Sequence, residues 1–126
     1  MPLASSTPRN RLLAALPAAD LNLLEPCLEP VTLKLRQELE RPNKRIDDVY
    51  FMDSGIASVV AVQPTDTRVE VGLIGCEGMS GTAVVLGSHR SPHSTYMQVA
   101  GEGQRIASVE LRQAMKASDS LHDIFL

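Results

Sequence analysis

Apolar and polar residues alternate along several short stretches of this chain, with the period of two that is typical of half-buried β-strands. The first such stretch places Val31, Leu33 and Leu35 on one face and Thr32, Lys34 and Arg36 on the other. Further strands are predicted at residues 48–52, 56–63, 68–74, 94–100 and 104–107. Since no long helical pattern separates these strands, the sequence predicts a mainly β fold, an antiparallel barrel or jelly roll.

Turn-forming residues separate the predicted strands. Asp53-Ser54-Gly55 joins two of them and predicts a β-hairpin. Gly101-Glu102-Gly103 predicts a turn before the last strand. In the polar segment 41–45, Asn43 is one of the few non-glycine residues that accept a left-handed backbone, so this segment is predicted to be a solvated loop.

Short helices are predicted at the N-terminal end, after a flexible tail over residues 1–8. Asn10 is placed to cap a helix over residues 11–16, which Pro17 ends. A second apolar cluster follows behind Asp20 and predicts another short helix.

At the other end, Ser108 is predicted to be the N-cap of a helix through about residue 117, and residues 118–120 begin a further helix. Leu121, Ile124 and Phe125 lie at i, i+3 and i+4 of that helix. This apolar stripe has only begun where the sequence ends, and so short a helix is marginal in water. We therefore expect it to need a continuation or a partner.

The segment from Val71 to Gly87 carries five of the eight glycines, at positions 72, 75, 78, 81 and 87. Glycine allows φ > 0 and a close approach of other groups, which suits either tight turns or a cradle for an anion. Neither a P-loop nor a dinucleotide-binding motif fits the spacing. Structural turns are the favoured interpretation, and the two alternatives do not exclude each other.

Composition and charge narrow the range of functions. A length of 126 residues suits one domain. The net charge of -3 does not indicate a basic surface of the kind that binds nucleic acid. The two cysteines, Cys27 and Cys76, are too few for a four-thiolate cluster and suggest a reduced, cytoplasmic setting. No apolar stretch is long enough to span a membrane, and the N-terminus lacks the features of a signal peptide.

Catalytic and metal-binding patterns are weak. Cys76, His89 and His93 would suit a soft metal, and a jelly roll is also the cupin scaffold of metal-dependent enzymes. However, His89 and His93 flank Pro92 in a polar loop, and no His-x-His pair occurs on any predicted strand. No Gly-x-Ser-x-Gly motif is present. A non-catalytic protein without a cofactor is the favoured interpretation, and a cupin-like metal enzyme is the alternative.

Three segments resemble the sensor domain of the Crp and Fnr family of bacterial transcription regulators. They are residues 49–55 (VYFMDSG), residues 69–81 (VEVGLIGCEGMSG) and residues 91–103, which begin SPH and end QVAGEG. The resemblance extends over residues 12–126. It implies a cyclic-nucleotide-binding-like domain over residues 9–119, a double-stranded β-helix (jelly roll) flanked by short helices. Residues 120–126 would begin a long dimerisation helix.

The same resemblance implies a homodimer in the full-length protein and DNA binding only through a helix-turn-helix domain that this chain lacks. Its effector would be an unknown small molecule or none. Arg36 and Asn43 stand where such domains commonly carry glycine.

The resemblance also implies a phosphate-binding cassette in the glycine-rich segment. Family members that bind cyclic AMP hold the ribose with a glutamate and the phosphate with an arginine. Here Gly81 matches the cassette glycine, Thr82 stands in place of the glutamate, and Ser94 lies near the position of the arginine. Arg90 lies close in sequence and would substitute for that arginine if its loop folds inward, but a solvated loop arginine is the favoured interpretation. The candidate ligand-binding residues are Glu77, Gly78, Gly81, Thr82, Arg90, Ser94 and Thr95. Both charged anchors are missing, so cyclic AMP is expected to bind weakly or not at all.

Overall fold

The computed structural model describes residues 8–65 and 67–125, without the side chain of His122. Except for Pro8, the predicted tail over residues 1–8 lies outside the described residues. The described residues form seven strands: β1 (Glu29–Leu33), β2 (Glu38–Glu40), β3 (Asp48–Met52), β4 (Ile56–Val62), β5 (Arg68–Ile74), β6 (His93–Val99) and β7 (Gly101–Ala107). The helices are α1 (Arg11–Ala14), α2 (Ala18–Leu24), α3 (Thr82–Val85), α4 (Ser108–Ala117) and α5 (Asp119–Phe125). No helix within the described residues is long and apolar enough to cross a membrane.

The strands form two antiparallel sheets, one of three strands in the order β1-β7-β3 and one of four in the order β2-β6-β4-β5. Short helices precede and follow them along the chain. The predicted jelly-roll class, with a mainly β content, is confirmed. Strands that are neighbours in sequence often lie in different sheets, which is how a jelly roll is wound.

The predicted hairpin between residues 48–52 and 56–63 is wrong for that reason. Both strands form, but β3 pairs with β7 and β4 pairs with β5 and β6. The turn between them carries the chain from one sheet to the other. The backbone N–H groups of Asp53 and Ser54 donate to the carbonyl of Glu102, at 2.9 and 3.0 Å, and Gly55 has φ +83°.

Strand β1 ends earlier than the sequence pattern predicts. It ends at Leu33, and Leu35 is 59% exposed instead of sharing the buried face. The chain turns at Arg36, which has φ +67°, and Arg36 N–H donates to the carbonyl of Met97 at 2.8 Å. Asn43 has φ +58°, as predicted for a left-handed position. The strand β2, which follows this turn, was not predicted, because residues 37–41 show no apolar alternation.

Two predicted local features differ from the structure. β7 begins at Gly101, so residues 101–103 belong to the strand and not to a turn. Gly103 suits this place because a Cβ there would lie 2.6 Å from the carbonyl oxygen of Phe51 on β3. Ser108 is the first residue of α4 and does not cap it; its hydroxyl donates to the carbonyl of Ile46 at 2.8 Å.

Side chains of β3 alternate between two cores. Val49 and Phe51 point to a cluster formed with the helices, which includes Leu13 and Leu111. The intervening residues of β3 join a second cluster between the two sheets, formed by Leu33, Leu39, Tyr50, Met52, Ala57 and Met97. This alternation is the strand period of two, with both faces buried.

The stripe predicted on the last helix packs partly against its own domain. Leu121 is fully buried in the helix-side core, and the ring of Phe125 lies 5.9 Å from that of Phe51. Ile124 remains 37% exposed. The helix therefore finds a partner within the chain, which the sequence pattern did not indicate.

Candidate functional site

The glycine-rich segment is attached to β3 through Ser80. The Ser80 hydroxyl accepts a hydrogen bond from Tyr50 N–H at 3.0 Å, and Ser80 N–H donates to the carbonyl of Tyr50 at 2.9 Å. Met79 forms a β-bridge with Phe51. This stretch of backbone is therefore held beside the middle of the fold, directly before the turn at Gly81.

Gly81 occupies a position that only glycine suits well. Its backbone is left-handed, with φ +71° and ψ +31°, and it is the N-cap of α3. A Cβ at Gly81 would lie 2.8 Å from Cγ2 of Val49. The turn is consequently both left-handed and tightly packed against β3.

A carboxylate lies against this turn. Glu40, on β2, is 9% exposed, and its Oε1 accepts a hydrogen bond from Gly81 N–H at 2.5 Å. Burial raises the pKa of Glu40 above its ordinary value, although the hydrogen bond from Gly81 and the charge of His93 act in the opposite direction. Sequence reasoning missed Glu40, since no apolar alternation marks β2 and nothing in the pattern singles out one glutamate among its polar neighbours.

A small cavity of about 190 Å³ lies beside Glu40. Asp48 and Tyr50 line it from β3, and Lys44 and Arg45 line it from the preceding loop. Burial raises the pKa of Asp48 and that of Tyr50, and in each case a neighbouring aspartate adds to the effect. The cavity is therefore rich in acidic groups whose charged forms are disfavoured by burial.

The predicted cassette residues do not all meet at this turn. Thr95 is buried on β6 and lies opposite Glu40 in the strand register, so the fold brings Gly81, Thr95 and Glu40 together. Glu77 and Thr82 are exposed. Gly78 lies in the preceding turn, where its N–H donates to the carbonyl of Gly75 at 3.1 Å.

The two residues considered for the phosphate anchor lie elsewhere. Arg90 is exposed in the loop before β6, where its backbone forms a β-bridge with Arg45. Ser94 is buried next to Thr95, and successive side chains of a strand face opposite sides of the sheet. Ser94 lines a separate cleft of about 260 Å³ together with Arg36 and Arg68.

No group of three or more histidine, cysteine, aspartate or glutamate side chains is arranged to hold a metal ion within residues 8–65 and 67–125. The backbone carbonyl of Cys76 accepts a hydrogen bond from Arg11 N–H at 2.7 Å, at the start of α1. The carbonyl of His89 accepts from Ile46 N–H at 2.8 Å.

Comparison with solved structures places this fold in a known class. The chain matches the N-terminal domain of a transcriptional regulator from Streptomyces coelicolor A3(2), with a TM-score of 0.72 and 13% identity over 95% of this chain and 85% of that one. It matches the sensor domain of the regulator DNR from Pseudomonas aeruginosa, with a TM-score of 0.72 and 13% identity over 88% and 75% of the two chains.

A third similar structure is the regulatory subunit of a cAMP-independent protein kinase A from Trypanosoma brucei, with a TM-score of 0.75 and 14% identity over 87% of this chain and 41% of that one. No family model and no curated protein matches the sequence. The chain thus has the fold shared by cyclic-nucleotide-binding domains and the sensor domains of Crp/Fnr-type regulators, as its sequence segments suggested.

Proposed function

We propose that this chain is the non-catalytic sensor domain of a Crp/Fnr-type transcription regulator. The observation that carries the proposal is the fold itself, which is shared with the N-terminal domain of one transcriptional regulator and the sensor domain of another, over 95 and 88% of this chain. In this proposal the sensor domain spans residues 9–119, and residues 120–126 begin a dimerisation helix. The protein is cytoplasmic, and a helix-turn-helix domain outside this chain contacts DNA.

Regulation by an effector requires that the effector bind the two states of the protein with different affinity. The glycine-rich segment is the candidate place for this effector, because its turn at Gly81 lies beside the buried residues Glu40 and Thr95. The effector is a small molecule of unknown identity, or the domain works without one.

The regulatory role is tested with the full-length protein in its own cell, by mapping which DNA segments it occupies. Discrete sites upstream of genes are expected, and their occupancy should depend on the sensor domain. Occupancy indistinguishable from that of an unrelated protein would contradict the proposal.

We further propose that cyclic AMP is not the effector. Thr82 is exposed and uncharged where the resemblance puts a glutamate, and the side chain of Arg90 is exposed in its loop. Each charged hydrogen bond contributes roughly 1.5–3 kcal/mol, so the loss of two weakens binding by roughly 3–6 kcal/mol. At about 1.4 kcal/mol per tenfold change, this corresponds to a factor of roughly 10² to 10⁴.

Calorimetry with cyclic AMP should therefore detect no micromolar binding to residues 1–126, and the uncharged nucleoside adenosine provides a matched control. Heat of binding with a micromolar dissociation constant for cyclic AMP would refute the expectation.

Assembly is the last part of the proposal. The dimerisation helix begins only at the end of this chain, and Leu121 is already buried in the domain core. Residues 1–126 alone should therefore sediment as a monomer or a weak dimer, and the full-length protein as a firm dimer. A tight dimer of residues 1–126 would show that the β-domain carries its own interface.

A further inference from the structure

The contact between Glu40 and Gly81 is unusual because a largely buried carboxylate meets a backbone amide and no cation. Oε1 of Glu40 lies 2.5 Å from the nitrogen of Gly81. Within the described residues Glu40 forms no ion pair, whereas its strand neighbour Glu38 pairs with Arg41 at 3.2 Å. A buried carboxylate is costly unless its charge is satisfied, so the Gly81 amide is the main group that compensates for the charge of Glu40.

The charged groups around Glu40 do not favour a second anion. On β2 the neighbouring charge of Glu38 is balanced by Arg41. In the loop that follows, Arg45 pairs with Asp47 at 3.4 Å. Lys44 also lines the cavity, and among residues 8–65 and 67–125 it forms no ion pair.

The elements packed against this region add little positive charge. β3 contributes Asp48 and Tyr50, and β6 contributes His93, which is partly exposed. The turn at Gly81 contributes the backbone N–H of Gly81. Apart from the two ion pairs, the acidic side chains Glu40 and Asp48 therefore face Lys44 and His93.

We propose that Glu40 determines the ligand specificity of the site at the Gly81 turn: its carboxylate is an internal anion that occupies the Gly81 amide, so that this site excludes anionic ligands and accepts neutral or cationic ones. The proposal rests on the proposed function, because it takes the segment around Gly81 to be the effector site. An anion would have to displace the carboxylate from the amide and then share a poorly solvated space with it.

The Gly81 amide is a direct spectroscopic reporter of this contact. In ¹⁵N–¹H correlation spectra, the Gly81 resonance of the wild-type chain should shift with pH in one step as Glu40 gains its proton. The step should disappear in Glu40→Gln, whose carbonyl keeps the acceptor without the charge. It should persist in the control Glu38→Gln, which removes an exposed carboxylate from the same strand. A Gly81 resonance that shows no carboxylate titration in the wild type overturns the proposal, even if the variant fails to fold.

The second arm of the experiment adds inorganic phosphate, and separately cyclic AMP, at pH 7. The Gly81 resonance should stay in place for the wild type and for Glu38→Gln, and should move for Glu40→Gln at concentrations at least tenfold lower than any that affect the wild type. If the Gly81 resonance moved at the same phosphate or cyclic AMP concentrations in the wild type and in Glu40→Gln, the proposed role of Glu40 would be overturned. Neither arm involves DNA, so a failure of the regulator assignment would appear in the occupancy experiment and not here.

Discussion

Replacing Gly81 by alanine tests how tightly the turn beside Glu40 is packed. Two separate costs are expected, because Gly81 has a left-handed backbone with φ +71° and because the new Cβ would lie 2.8 Å from Cγ2 of Val49. Val49 is fully buried in the helix-side core, so it cannot move away freely.

The two costs can be estimated separately. A non-glycine residue in the left-handed region costs about 1–2 kcal/mol. Overpacking of a filled core costs about 1–3 kcal/mol. Gly81→Ala should therefore lower the free energy of unfolding by about 2–5 kcal/mol in total.

Gly87 offers a matched control within the same segment. It also has a positive φ, +90°, but a Cβ there would meet no atom within 4 Å. Gly87→Ala should show the backbone cost alone, about 1–2 kcal/mol.

The assay is urea unfolding of the wild type, both alanine variants, Val49→Ala and the double variant Val49→Ala/Gly81→Ala. Shortening Val49 removes the clash, so Gly81→Ala should cost less in that background, by about the 1–3 kcal/mol assigned to overpacking. Equal costs for Gly81→Ala and Gly87→Ala, or no coupling with Val49, would refute the packing argument.

Two further predictions concern the helices around the sheets. Asn10→Ala should cost about 2–4 kcal/mol in urea unfolding, because this fully buried side chain caps α1 and donates hydrogen bonds to the carbonyls of Met52 and Gly78, which the variant removes. A loss below about 1 kcal/mol would contradict this prediction. Hydrogen bonds from two serine hydroxyls lower the pKa of Asp20, so its stabilising contribution should be complete above about pH 4 and lost as the pH falls through the lowered folded pKa. The urea unfolding midpoint, measured from about pH 2 to 7, should fall less at acid pH in Asp20→Asn than in the wild type. The exposed control Asp119→Asn should not reduce this fall.

Several elements were predicted correctly because their signals are local. The strands at residues 48–52 and 68–74 have the predicted bounds. Asn10 accepts a hydrogen bond from Leu13 N–H at 3.0 Å, as an N-cap should. Periodicity and capping depend on residues within a few positions of each other, so the sequence carries them directly.

The alternation in β5 predicts the strand but not the burial of its apolar face. The strand forms over residues 68–74. Its apolar row, however, is exposed: Val69, Val71 and Leu73 are 42, 54 and 57% exposed. β5 is one of the two edge strands of its sheet, and among the described residues no element covers this row. Whether an apolar row is buried depends on what packs over it, and the alternation carries no information about that.

By itself, then, the sequence determined the β-rich class, most strand positions, the N-terminal cap and the left-handed backbone at Asn43. Only the tertiary structure decided that β3 and β4 belong to different sheets and that Glu40 meets Gly81 across 41 positions of sequence. Strand partners and buried polar contacts depend on how distant segments pack against each other, and two residues so far apart leave no shared periodicity in one sequence.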